Sequence, residues 1–278
     1  MTSSHPHVGR EQVLTETLDG GPSDRLAAAL DREDRPFASS SALPNAWHWL
    51  HFHAVPRASQ LSADGRGSAE GLLPGFPGLA RMWAGGAFNF AQPIRVGDTI
   101  EKRSRVASIV EKEGRSGPLV LASVEHTLSG PAGHCFTERQ DIVFRRPSKY
   151  SGAAEGERAS ATPAWRRELV PDEVLLFCFS AVTYNPHRIH YDFPYATTIE
   201  GYPGLLVHGP LTCVLLLDLI RRSVPERALT HFDYRALRPL ICGRKLTLAG
   251  RMTDTNGVEV WAEDDSGFVA MRGTGTFR

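Results

Sequence analysis

Two stretches of this chain carry side chains suited to proton transfer beside a polarised carbonyl. The first, T-Y-N-P-H-R-I-H-Y-D from Thr183 to Asp192, puts two histidines and an aspartate into one polar turn. Histidine titrates nearest neutrality, so such a turn can offer a base at working pH. The second, His208-Gly209-Pro210, opens the run Leu211 to Ile220, which is apolar except for Thr212 and Asp218. Proline fits the first turn of a helix, where its missing N–H would have had no partner. The pattern predicts a helix buried on most sides. The N–H of Gly209 then points out of the positive helix end, where it can bind an anion or a polarised carbonyl. A base-bearing turn and a carbonyl-binding helix end together make a candidate site.

The surrounding chain must supply the scaffold. Residues 1–22 are polar and expected to be weakly ordered. Ser23 to Leu30 predicts a short helix capped by Ser23 or Asp24. Ala42 to Ala54 predicts a second, with Pro44 near its start, and residues 56–78 read as a long Gly/Ser/Pro loop. Strands are expected over 82–90, 92–94, 99–111, 119–128 and 136–145, with a hairpin turn at 113–117. Residues 147–163 read as a linker. Beyond it, Val174 to Ser180 reads as a strand, and further strands follow at 231–240, 245–253, 258–264 and 267–277.

The two halves repeat. P-I-R-V-G-D-T-I from Pro93 lines up with P-L-I-C-G-R-K-L from Pro239, 146 positions on. Phe88-Asn89-Phe90 then falls on Tyr234-Arg235-Ala236, and Leu43-Pro44 takes the part of Gly209-Pro210. A helix followed by long antiparallel strands, twice, predicts an α+β duplication in which each curved sheet wraps a helix. That is a double hot-dog, with repeats at 23–146 and 164–278.

Composition narrows the function classes. Among 278 residues, Lys+Arg and Asp+Glu both number 31, and no basic run stands out, so nucleic acid is not an expected partner. No segment is long and apolar enough to suggest a membrane span, and no secretory signal is evident, so a cytoplasmic location is expected. The four cysteines, Cys135, Cys178, Cys213 and Cys242, lack metal spacing and read as buried free thiols. In W-H-W-L-H-F-H, His48, His51 and His53 lie close together, but no nearby carboxylate completes a ligand set. No metal site is expected.

T-Y-N-P-H-R-I-H-Y-D-F-P-Y-A followed by V-H-G-P-L-T resembles the signature of the MaoC-like, type-2 enoyl-CoA hydratases. The N-terminal half, with L-A-R-M-W-A-G-G and E-K-E-G-R-S-G-P-L-V, is similar to a subgroup containing mesaconyl-CoA hydratases and fungal mitochondrial type-2 3-hydroxyacyl-thioester dehydratases. The resemblance implies a hydro-lyase of acyl-CoA thioesters that uses no cofactor. It places His190 on the catalytic histidine, with Asp192 and Ala196 on conserved motif positions and His208-Gly209 on the His-Gly pair. Asn185 falls where the family has its catalytic aspartate, and an amide cannot take a proton. Thr183, Tyr184 and His187 fall on the family's Ser, Gly and Asn.

The resemblance thus implies His190 as acid/base, Asn185 as the group orienting water or imidazole, and Gly209 as the donor to the thioester oxygen. His208, Tyr184 and Arg188 are the further substrate-binding candidates, Arg188 toward a CoA phosphate. The N-terminal repeat has no counterpart of N-P-H-R-I-H and is expected to be non-catalytic. It would shape the acyl pocket with the loop 56–78 and Arg81-Met82-Trp83. Arg81, Arg188 and Arg235 are candidates for a second acyl carboxylate. An acyl-CoA thioesterase and a non-catalytic acyl-CoA binding protein are the alternatives. Duplication supplies internally the pair that single hot-dogs make by dimerising, and open sheet edges also admit a homodimer.

Overall fold

The computed structural model describes residues 5–34, 36–67, 72–114, 117–146 and 156–278. Its strands are β1 (Glu11–Thr17), β2 (Ala80–Phe90), β3 (Thr99–Gly114), β4 (Gly117–Gly130) and β5 (Gly133–Arg145) in the first half. The second half holds β6 (Trp165–Leu169), β7 (Leu229–Ala236), β8 (Leu246–Met252), β9 (Gly257–Glu263) and β10 (Val269–Phe277). The helices are α1 (Gly20–Ala29), α2 (Glu173–Val182) and α3 (Gly209–Ser223). No helix among the described residues is long and apolar enough to cross a membrane.

All strands join one antiparallel sheet in the order β1-β3-β4-β5-β2-β7-β10-β9-β8-β6. Read outward from the β2–β7 seam, both halves run through their strands in the same order, which is the expected double hot-dog. At the seam Ala87 faces Asp233, its own counterpart at the offset of 146. Two isolated bridges repeat that relation, Ala42 with Arg95 and Leu206 with Ile241. They make Leu43 the counterpart of Val207, since each donates its N–H to the residue before the bridge, Ile94 or Leu240. Leu43-Pro44 therefore stands two residues short of the Gly209-Pro210 position first assigned to it.

Several expectations change. Residues 11–17 are an edge strand paired with β3 along its length, and α1 begins at Gly20, capped by Asp19, so ordered structure starts well before residue 23. Val174 to Ser180 folds as part of α2, not as a strand. Its N-cap Asp172 accepts from the N–H of Leu175, and Leu176, Phe179 and Ser180 are buried while Val174 and Phe177 lie exposed. That spacing is helical, and a short apolar run cannot be told from a strand by apolarity alone.

The expected helix at 42–54 shrinks to one 3-10 turn, Trp47–Leu50. Separate anchors pull its side chains apart: His48 and Trp49 bond Glu138, and His51 bonds Glu16. Residues 92–94 leave the sheet after β2. Of the linker, 147–155 lie outside the described residues, as do 115–116 of the hairpin turn and 68–71 of the long loop. Residues 156–163 form neither helix nor strand, and Glu157 O accepts the N–H of Val269.

α3 fills the second repeat; every residue from Leu211 to Ile220 is buried, as its sequence demands. The first repeat has only the 3-10 turn in the equivalent place. A pocket of about 280 Å³ remains there, bordered by Trp47, His48, Phe90, Phe136 and the C-terminal half of α3. The four cysteines are free thiols, two buried and two half-buried.

Candidate active site

The histidine-bearing turn is built by the end of α2. Asn185 donates its N–H to Ser180 O, and Tyr184 takes a left-handed conformation (φ 48°) to turn the chain. Asn185 Oδ1 accepts the N–H of His187 at 3.1 Å, an Asx turn that fixes the approach to Pro186. A 3-10 turn, Arg188–His190, then drops His190 into the interior, where it is 7% exposed.

His190 Nδ1 lies 2.8 Å from the carbonyl oxygen of Leu206. A carbonyl only accepts, so Nδ1 carries the proton and Nε2 keeps its lone pair. Burial lowers the pKa to about 4, only partly offset by that hydrogen bond. The ring is therefore neutral at pH 7 and competent as a base.

His208, the N-cap of α3, stacks on His190 and meets Ser180 Oγ through Nε2 at 2.8 Å. It is fully buried, and its pKa is driven well below the ordinary value by burial and by the neighbouring histidines. Its assignment as a substrate-binding residue is corrected accordingly: it braces the His190 ring and has no surface for substrate. His187 packs edge-on against His190, and burial lowers it to about 3.

Gly209 is half-buried at the start of α3, where first-turn amides lack intrahelical partners. Beyond its chain neighbours and the backbone of its own helix, a Cβ there would come no closer than 3.8 Å to another atom, the nearest being those of Trp83. Close packing does not demand glycine at this position. Trp83 belongs to β2 and donates Nε1–H to Tyr234 Oη at 3.2 Å, across the seam. The cleft is thus formed by the turn and helix of the second repeat against the β2 wall of the first.

The loop after residue 56 adds a cover. Asp64 O accepts the N–H of Arg188, and Arg188 Nη1 reaches Ala63 O. Gly65 (φ +89°) approaches Pro186 so closely that a Cβ would lie 2.1 Å from its carbonyl oxygen. Arg188 also pairs with Asp192 at 2.8 Å and lies 4.1 Å over the Tyr195 ring. In this structure it holds the turn, with its side chain still partly exposed. Asp192 caps the following turn through Tyr195 N–H. Tyr184 is 50% exposed and stacks with His53 at 6.1 Å, on the rim of the turn and away from its interior. Of the residues the sequence singled out, His190 and His208 stack on one another, Gly209 follows His208 at the start of α3, and Asn185 lies in the turn that leads to His190. Sequence reasoning missed Leu206, Ser180 and Gly65, whose roles arise from backbone geometry and carry no motif.

The family profile of hydroxyacyl-thioester dehydratase type 2 matches residues 46–242. The chain belongs to that family. With membership comes the chemistry of a hydro-lyase on acyl thioesters. The chain is 37% identical over 270 residues to a mesaconyl-C(4)-CoA hydratase of Chloroflexus aurantiacus, covering 96% of this chain and 95% of that one. It is 25% identical to the mitochondrial hydroxyacyl-thioester dehydratase type 2 of Schizosaccharomyces pombe, covering 85% and 88%. In fold it resembles a MaoC-like dehydratase, with a TM-score of 0.75 at 16% identity over 98% of both chains. A Mycobacterium tuberculosis protein described as a double hotdog superposes with a TM-score of 0.58 at 14% identity, over 98% and 96%.

Proposed function

We propose that this hydro-lyase adds water to a short enoyl-CoA thioester of the mesaconyl type, and catalyses the reverse dehydration. The acyl class is supported by the 37% identity, over nearly the whole chain, to the mesaconyl-C(4)-CoA hydratase. The observation that carries the chemistry is the tautomer of His190: Nδ1–H is held by Leu206, leaving Nε2 free beside the start of α3.

In this reading Nε2 takes a proton from water, and the hydroxyl adds to the β-carbon. The thioester oxygen gains enolate charge, which the Gly209 N–H and the helix end stabilise; one such donor is worth about 3 kcal/mol. Asn185 keeps Oδ1 in its turn and offers Nδ2–H to the oxygen of the water. The imidazolium then returns its proton to the α-carbon. The negative enolate raises the pKa of the ring from its low resting value, so a weak base becomes adequate once substrate is bound. Every group in this sequence belongs to the chain, and we assign no step to a metal or cofactor. Four unpaired thiols fit a reducing compartment. The β2–β7 seam supports a chain that forms its hot-dog pair without a second copy.

Mesaconyl-C(4)-CoA and crotonyl-CoA, followed by loss of enoyl absorbance without release of free thiol, test the reaction. His190→Ala is expected to cost about 10³-fold in kcat with folding retained. Most activity surviving in that variant overturns the assignment. The position of Asn185 favours one second reading, a binding protein without turnover. Ester binding with no change in any enoyl or 3-hydroxyacyl ester would favour it instead.

A further inference from the structure

The wall opposite the catalytic turn holds a cation that the mechanism leaves unused. On β2, Arg81 pairs with Phe144 of β5 and Trp83 with Ile142. Directly opposed residues of an antiparallel pair share a face. Trp83 borders Gly209 and packs against the core that holds α3, which sets the side of the sheet, and on that side Ile142 and Phe144 are buried in a neighbouring cluster with Leu73, Val120 and Ala122. Arg81 therefore stands on the cleft side, about 7 Å along the strand from Trp83.

Arg81 is exposed to solvent. Protein nevertheless crowds it enough to bring its pKa down to about 10, burial being the main cause and Arg66 the next, so it stays charged at neutral pH. It is electrostatically felt by His187, the ring against His190. Two nearby arginines are neutralised, Arg66 by Asp64 and Arg188 by Asp192, and Arg145, opposite Ala80, rests its Nε on Met82 Sδ. Among the described residues, no side chain bonds or pairs with the Arg81 guanidinium, whereas its backbone oxygen accepts from Arg66.

Its counterpart 146 positions on, Arg227, is occupied. Arg227 reaches Asn256 Oδ1 at 2.6 Å and lies 4.8 Å over the Phe277 ring. Arg235, the remaining candidate, neighbours the inward-facing Tyr234, so it points to the outer face of the sheet.

We propose that Arg81 binds a carboxylate on the acyl group and sets the preference for dicarboxylyl over monocarboxylyl thioesters. This rests on the hydratase reading of the same site. In a mesaconyl group bound through C4, the free carboxylate sits on the β-carbon, the atom that water attacks. A cation near the catalytic histidines is therefore placed for it, and a planar guanidinium matches a carboxylate with two hydrogen bonds. The phosphates of CoA share this anionic chemistry, but the pantetheine arm separates them from the thioester by many bonds.

The test compares the wild type with Arg81→Gln and Arg81→Lys on three substrates: mesaconyl-C(4)-CoA, crotonyl-CoA and the pantetheine thioester of mesaconate, which lacks phosphate. Arg81→Gln is expected to lower the mesaconyl-to-crotonyl ratio of kcat/KM on the order of 10- to 100-fold, with Lys intermediate. The loss on mesaconyl should persist with the pantetheine thioester. An unaltered ratio overturns the proposal. So does an equal loss on both CoA esters that vanishes with the pantetheine thioester, which would assign Arg81 to a phosphate.

Failure of the hydratase reading looks different, because the wild type would then turn over none of the three. Calorimetric titration with the unreactive methylsuccinyl-CoA and butyryl-CoA decides Arg81 independently. Tighter binding of the dicarboxylyl ester, lost in Arg81→Gln, upholds the assignment. Equal binding of the two esters by the wild type overturns it.

Discussion

The imidazole of His190 lies almost flat on that of His208, with ring centroids 3.6 Å apart and planes inclined by 20°. Two stacked, buried imidazoles repel as cations, so the arrangement favours a neutral pair. The acid limb of kcat/KM for the free enzyme should accordingly fall near pH 4, the value to which burial lowers His190, with activity flat from there to neutrality. Asn185→Asp adds a carboxylate that stabilises the imidazolium, and should move that limb up by about one unit. A wild-type limb near the ordinary histidine value contradicts the assignment, and so does a limb that Asn185→Asp leaves in place.

Stability should follow the same groups. His126 and His190 are lowered to about 4 and His187 to about 3, in each case chiefly by burial. Below pH 6.5 the unfolded chain binds protons that the folded chain refuses. Each of these histidines then removes about 1.4 kcal/mol per pH unit as pH falls from 6.5 toward its folded value. Urea unfolding at pH 7 and pH 5 measures the loss; equal midpoints would refute it.

Gly209→Ala separates packing from chemistry. Outside its own helix and chain neighbours, the added methyl meets nothing nearer than Trp83 at 3.8 Å, and alanine favours helix, so the melting temperature should hold or rise slightly. Turnover should drop by on the order of 10²-fold, because the methyl enters the space beside the amide to which we assign the thioester oxygen. An active variant would remove Gly209 from the site.

At the far end of α3, buried Asp218 meets buried Arg32 at 3.2 Å and also pairs with Arg167, Arg221 and Arg222. Asp218→Asn leaves buried Arg32 with Asp34 as its remaining carboxylate partner and should cost about 1.5–3 kcal/mol in chemical denaturation. The KM of the surviving folded enzyme should stay near wild type, since the pair lies at the opposite end of the helix from Gly209.

Elements with a strong period or a punctuating residue were legible in the sequence. α3 announces itself through Gly209-Pro210 and its apolar run, and the strands of each repeat through the Pro93 and Pro239 phrases. α2 was misread because V-L-L-F-C-F-S is apolar enough for either state; the Pro171-Asp172-Glu173 start was the available signal. The 3-10 turn at Trp47 defeats local reasoning, since Glu138 and Glu16, which anchor it, are distant in sequence. The site motif singled out His190 directly. Its protonation state depends on Leu206 O and could be read only from the folded chain.

The seam between β2 and β7 fixes more than geometry. In a pair of identical subunits, any change in one cleft is copied into the other. Here Arg81 and Arg227 hold matching places yet do different work, one open to the cleft and the other tied to Asn256 and Phe277. Joining both repeats in a single polypeptide released each from mirroring its twin, so a substitution at one of these places left the other untouched.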